Sequence, residues 1–203
     1  MALVPTAVAP TNMDPAVIKK ATNMLIESRI KLLFNHPFFG QLALRLQLVP
    51  ADPSWCPTAA TDGRKFYFNP EFVNSLTPGE NVFLVGHELG HCIFEHFMRR
   101  EGRDPKLWNI AGDYIINNTL ETEVVNAGKN SCAEVIKKIK IFLDHKYDGW
   151  TTEEIYDDLL QQQQNGGKPE EEGELVDVHI DMNDDGQKGD EEDGNVPVSY
   201  THL

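Results

Sequence analysis

Long hydrophobic runs are missing from the 203 residues. The longest, such as Val82–Val85, are far too short to cross a bilayer, so no membrane span is expected. Cysteine is scarce. Cys56, Cys92 and Cys132 are odd in number, far apart and without a CxxC pair. That argues against a disulfide scaffold or a Cys-based zinc knuckle and points to a reducing compartment. Positive charge is short as well: 18 Lys and Arg stand against 32 Asp and Glu, for a net charge of −14. No basic face is offered to a phosphate backbone, so nucleic-acid binding is disfavoured. The apolar start, Met1–Pro10, lacks the basic residues of a secretory signal, and a cytoplasmic location is expected.

The charge that is present is uneven. Residues 164–203 carry twelve Asp and Glu against Lys168 and Lys188, a net of −10, which leaves −4 for the rest. Gln161–Gln164, Asn165, Gly166 and Gly167 read as a low-complexity linker before this stretch. The expected organisation is an N-terminal arm over 1–13, one domain over 14–162, and an acidic disordered tail over 163–203. The last run, Val196–Leu203, resembles translated adapter sequence more than protein, so truncation is expected.

Asp14-Pro15 opens a helix over about 15–34, with Val17, Ala21, Met24, Leu25 and Leu32 on one stripe broken by Ser28. The alternation of Leu42, Leu44, Leu46 and Leu48 predicts a strand. Asp62-Gly63 between 58–61 and 64–69 predicts a tight hairpin, with Phe66 and Phe68 on one face. Together these give a small, mostly antiparallel sheet of about three strands. Thr77-Pro78-Gly79-Glu80 is an N-cap, a first-turn proline and a capping box, starting a helix to about Arg100. Asp104-Pro105 starts the next, to about Leu120, and shorter helices are expected near 133–143 and 152–161.

The helix begun at Thr77 carries His87-Glu88-Leu89-Gly90-His91, an HExxH motif. Residues four apart share a helix face, so two imidazoles can reach one ion. Glu88 stands beside the first of them, placed to act on a metal-activated water without occupying the metal. Two histidines on an amphipathic helix can also be plain surface residues; the independent helix caps favour the metal reading. Gly90 leaves room beside the site, and Cys92 is turned off the ligand face into the core.

A catalytic zinc needs a third protein ligand and one open position. His96 falls about 140° around a continuous helix from His91 and is read as a polar-face residue. Asn109, Asp113 and Asn117 form a polar stripe on an otherwise apolar helix, and a buried polar stripe needs partners. Asp113, the charged member, is the expected third ligand, with Glu121 and Glu123 as lesser alternatives and Asn117 orienting a ligand. Tyr114, Tyr67 and His96 stay open as the second electrophile. Asp181–Gly186 with Glu192 matches a calcium-loop pattern, but an Asp- and Gly-rich tail makes such a match cheap.

The runs HELGHCIFEHFMRREGRDPKLWNIAGDYIINNTL, TAATDGRKFYFNPEFV and DGWTTEEIYDDLL resemble the metallopeptidase domain of phage and bacterial proteins that commonly precedes a von Willebrand A-like domain. The resemblance covers roughly residues 14–162. It implies a zincin-like α+β fold, mostly helical, and Zn2+-dependent peptidase activity on a peptide or protein substrate. His87, His91 and Asp113 match its metal positions and Glu88 its catalytic one. A von Willebrand A-like partner domain, missing from the sequence in hand, is therefore expected. The competing expectation is a non-catalytic, metal-stabilised interaction module acting with a partner domain or an ATPase; a metal-free helical adaptor is a third.

Overall fold

The computed structural model describes residues 10, 13–122, 141–169 and 173. Helix α1, Pro15–Asn35, starts where Asp14 accepts a hydrogen bond from Ala16 N. It buries Ala21, Leu25, Ser28, Arg29 and Leu32. Ser28 breaks the apolar stripe without an unmet donor, because its hydroxyl donates to Met24 O at 2.9 Å.

The leucine alternation after it is not a strand. Pro37–Ala43 forms a second helix, α2, and only Gln47–Pro50 is extended, as β1. Pro37 at the first helical position starts α2, and Ala43 and Leu46 reach the core three residues apart while Leu44 is exposed. A period of three with a proline start outweighs alternation in leucine, which has no strand preference of its own.

Strands β2, Ala59–Thr61, and β3, Lys65–Phe68, form the expected hairpin. Asp62 accepts hydrogen bonds from Arg64 N at 2.8 Å and Lys65 N at 2.6 Å within the turn. Phe66 and Phe68 both enter the main core, and Tyr67 points to the opposite face. The sheet order is β1-β3-β2. β2 runs antiparallel to β3, but β1 runs parallel to it, so the sheet is mixed rather than mostly antiparallel. The stretch between β1 and β2 crosses over to place β3 in the middle.

After α3, Pro70–Ser75, the capping box at Thr77 forms in full, and α4 runs Pro78–Ile93. It stops well short of Arg100. Phe94 caps it, Glu95 takes φ 54°, and a separate one-turn helix, α5, covers His96–Arg99. Helix α6 spans Pro105–Leu120. A short 3-10 turn at His145–Tyr147 leads to α7, Thr152–Gln164, which runs into the segment read as linker. The expected helix at 133–143 lies almost wholly outside the described residues, and so do the calcium-like loop and most of the acidic tail.

The molecule is thus α+β and mostly helical. One core joins α1, α4, the sheet and the far half of α6 through Leu25, Phe66, Phe68, Phe83, Val85 and Ile116. A second lies under α7, where Trp108, Tyr114 and Tyr147 meet Ile155 and Leu159. Helix α6 feeds both, and Asp113 and Asn117 of its polar stripe face α4. No helix among the described residues is long and apolar enough to cross a membrane.

Candidate metal centre

Helices α4 and α6 cross closely because small residues sit at the crossing. A Cβ built on Gly90 would lie 2.8 Å from Ile116 Cγ1. The room left by Gly90 is therefore filled by α6, not kept open beside the site. One turn earlier on α6, a Cβ on Gly112 would lie 2.8 Å from His96 Nδ1. Glycine in a helix costs about 1 kcal/mol against alanine, and here close approach explains it.

That approach brings His87, His91 and Asp113 together, all completely buried. The two Nε2 atoms are 3.2 Å apart. Asp113 Oδ1 lies 3.5 Å from His87 Nε2 and 3.6 Å from His91 Nε2. Those last separations exceed ordinary N–H···O distances of about 2.7–3.2 Å. They match instead the edges of a tetrahedron: ligand atoms bonded at about 2.1 Å to one ion stand about 3.4 Å apart. Two imidazoles and one carboxylate suit a first-row divalent cation, whereas calcium and magnesium take all-oxygen sets. The donor set and its spacing fit a bound ion.

Each imidazole is held from behind. His87 Nδ1 is 3.1 Å from Asn117 Oδ1, and Asn117 Nδ2 donates to Phe142 O at 3.0 Å. The amide is thus oriented with its oxygen towards the ring, and His87 carries its proton on Nδ1 and turns a lone pair on Nε2 to the site. The loop supplying Phe142 O is itself tied by Asn118, whose Nδ2 donates to Asp144 O at 2.8 Å. Asn117 therefore stands where the sequence places an orienting residue.

His91 has a partner that sequence reasoning misread. His96 is buried, not on a polar face, with its Nδ1 3.0 Å from His91 Nδ1. The 140° estimate assumed an unbroken helix. The chain breaks at Glu95 instead, and the new helix turns His96 back against His91. No glycine or proline marks the break. The only signal was the count of histidines near the motif.

The remaining residues sort plainly. Glu88 is fully buried on α4 beside His87. Glu121 leaves the site, its carboxylate 3.2 Å from His145 Nε2, and Glu123 lies outside the described residues. Cys92 packs against the main core, and burial pushes its thiol up to about 11, so it offers no thiolate donor at neutral pH. Tyr67 donates its hydroxyl to Asp62 Oδ2 at 3.0 Å. Tyr114 stacks edge-on against Phe142 and Tyr147 in the second core. The open choice among Tyr114, Tyr67 and His96 narrows, since both ring nitrogens of His96 already face His91 and Thr152.

Fold and site together define an α+β domain with a buried His-His-Asp group on an HExxH helix and its neighbour, able to hold a metal ion. The chain belongs to the family described as "Putative metallopeptidase domain", which matches it over residues 20–195. No curated protein and no solved structure matches the chain.

Proposed function

We propose that the domain is a zinc-dependent metallopeptidase, with His87, His91 and Asp113 holding the ion and Glu88 as general base. The observation that carries this reading is the triangle of Nε2, Nε2 and Oδ1 atoms at 3.2, 3.5 and 3.6 Å. When bound, zinc supplies Lewis-acid polarisation of a substrate carbonyl and brings the pKa of water down towards about 7. Glu88 takes a proton from the attacking water and passes it to the leaving amine. Its position next to His87 on α4, fully buried, supports that role. The substrate is a peptide or protein, and a von Willebrand A-like domain is the proposed partner.

A second reading has its own support. His87, Glu88, His91 and Asp113 are all fully buried, and a catalytic zinc site must keep a position open to substrate. Closure of this kind favours a metal-stabilised interaction module without turnover. Glu88→Gln separates the two. Zinc-loaded wild type and variant are incubated with fluorescein-labelled casein. The peptidase reading predicts unchanged zinc content and hydrolysis slowed at least about a hundredfold. Equal hydrolysis by both proteins removes Glu88 as the base, and hydrolysis by neither favours the module.

A further inference from the structure

We propose that His96 is a positioning residue, locking the tautomer and aim of the metal-facing His91 and coupling it to the start of α7. This inference rests on the metal reading above. For His91 to offer a lone pair at Nε2, its ring proton must sit on Nδ1. Nδ1 lies 3.0 Å from His96 Nδ1. His91 therefore donates and His96 accepts. An imidazole that accepts at Nδ1 carries its own proton on Nε2, and His96 Nε2 lies 3.0 Å from Thr152 Oγ1. The proton positions follow one from the next: His91 Nδ1–H to His96 Nδ1, then His96 Nε2–H to Thr152 Oγ1. Every ring nitrogen in the chain has one role, and reversing any link would put a proton on the lone pair meant for the ion.

The surroundings hold this chain rigid. His91, His96 and Thr152 are all buried. Trp108 Nε1 donates to His96 O at 3.0 Å, fixing the backbone of α5 to α6. Arg99 closes the break behind it, donating to Phe94 O at 2.7 Å and pairing through both carboxylate oxygens with Glu153, the residue after Thr152. Burial pushes the Glu153 carboxyl up, but the Arg99 hydrogen bond and charge outweigh that and hold it below its ordinary value. The left-handed backbone at Glu95, unfavourable for a side chain with a Cβ, is what turns His96 inward. Gly112 supplies the space the His96 ring fills. Five separate features thus converge on the placement of one imidazole behind the metal-facing His91.

The test is zinc affinity by chelator competition, with the ring 15N spectrum of His91, on full-length wild type, His96→Leu, His96→Asn and Thr152→Val. Asparagine keeps an acceptor near the Nδ1 position, leucine of similar size does not, and valine removes only the hydroxyl at the far end. His96→Leu is expected to weaken zinc binding about 10- to 100-fold, the range for losing a partner of a ligand. His96→Asn should regain most of that loss, and Thr152→Val should weaken binding by a few-fold. The wild-type spectrum should show His91 protonated at Nδ1, with mixed tautomers in His96→Leu. Leucine and asparagine variants of equal affinity, at whatever level, overturn the proposal, because a purely steric role does not distinguish them. So does a Thr152→Val protein with wild-type affinity and a leucine variant whose His91 spectrum is unchanged. A wild-type chain that takes up no zinc overturns the metal reading itself, and this inference with it.

Discussion

Arg29 sits on α1 with only 6% of its surface exposed, and its Nε and Nη2 find no hydrogen-bond partner among the described residues. Burial alone pulls its guanidinium down to about 10. A buried cation without a matched acceptor destabilises a fold, and an apolar side chain of similar length relieves that cost. Arg29→Met is expected to raise the unfolding free energy by about 1–3 kcal/mol in urea titrations, and a loss of stability would contradict the account. Tyr67 shows the reverse sign. Burial first, then the hydrogen bond and charge of Asp62, push its phenol up to about 12 from 10. A folded value above the free one means the contribution is complete below pH 10 and is lost as pH rises to 12. The urea midpoint should therefore fall across that window in wild type and fall less in Tyr67→Phe. Neither residue's state could be read from sequence, because both depend on which surface covers them. Asp113 could, because a lone carboxylate in an apolar helix needs a partner wherever the helix packs.

Among the elements, caps and first-turn prolines made the starts of α1, α4 and α6 legible, although the prolines opening α2 and α3 did not reveal those helices. Thr77 with Glu80 and Thr151 with Glu154 each make a capping box, and Asp104 caps α6 through Leu107 N at 2.8 Å. Proline and short polar side chains set these starts locally, before any tertiary contact. Helix ends and the strand at 42–48 were less legible. Beyond the stop at Ile93, the freed carbonyls are taken up by side chains, Arg99 on Phe94 O and Trp108 on His96 O, which no helix-end pattern in the sequence reports. Misplacing that one end hid His96, since its direction depends on the break. The close crossing of α4 and α6 makes its own prediction. Gly90→Ala forces a Cβ against Ile116, and overpacking of this kind costs about 1–3 kcal/mol. Ile116→Ala alone should also destabilise by cavity formation, by about 2–5 kcal/mol. In the double variant the two effects should partly cancel in a denaturation cycle, and strict additivity would mean the helices do not touch there.

At the scale of the whole molecule, the site is an interface property. Two of the three clustered donors, His87 and His91, come from α4 and one, Asp113, from α6, and the residues behind them come from the Phe142 loop, α5 and α7. Sequence spacing could reveal the two histidines, since one helix fixes their separation. It could nominate Asp113 by polarity but could not place it, because that depends on how two glycine-bearing helices cross. The most direct measurement is zinc per chain by elemental analysis of purified full-length wild type beside Asp113→Ala. We predict about one zinc per wild-type chain and a near-empty variant, as expected for a site that loses one of three protein ligands. Equal zinc in both, or none in wild type, would contradict the convergence of His87, His91 and Asp113 on a single ion.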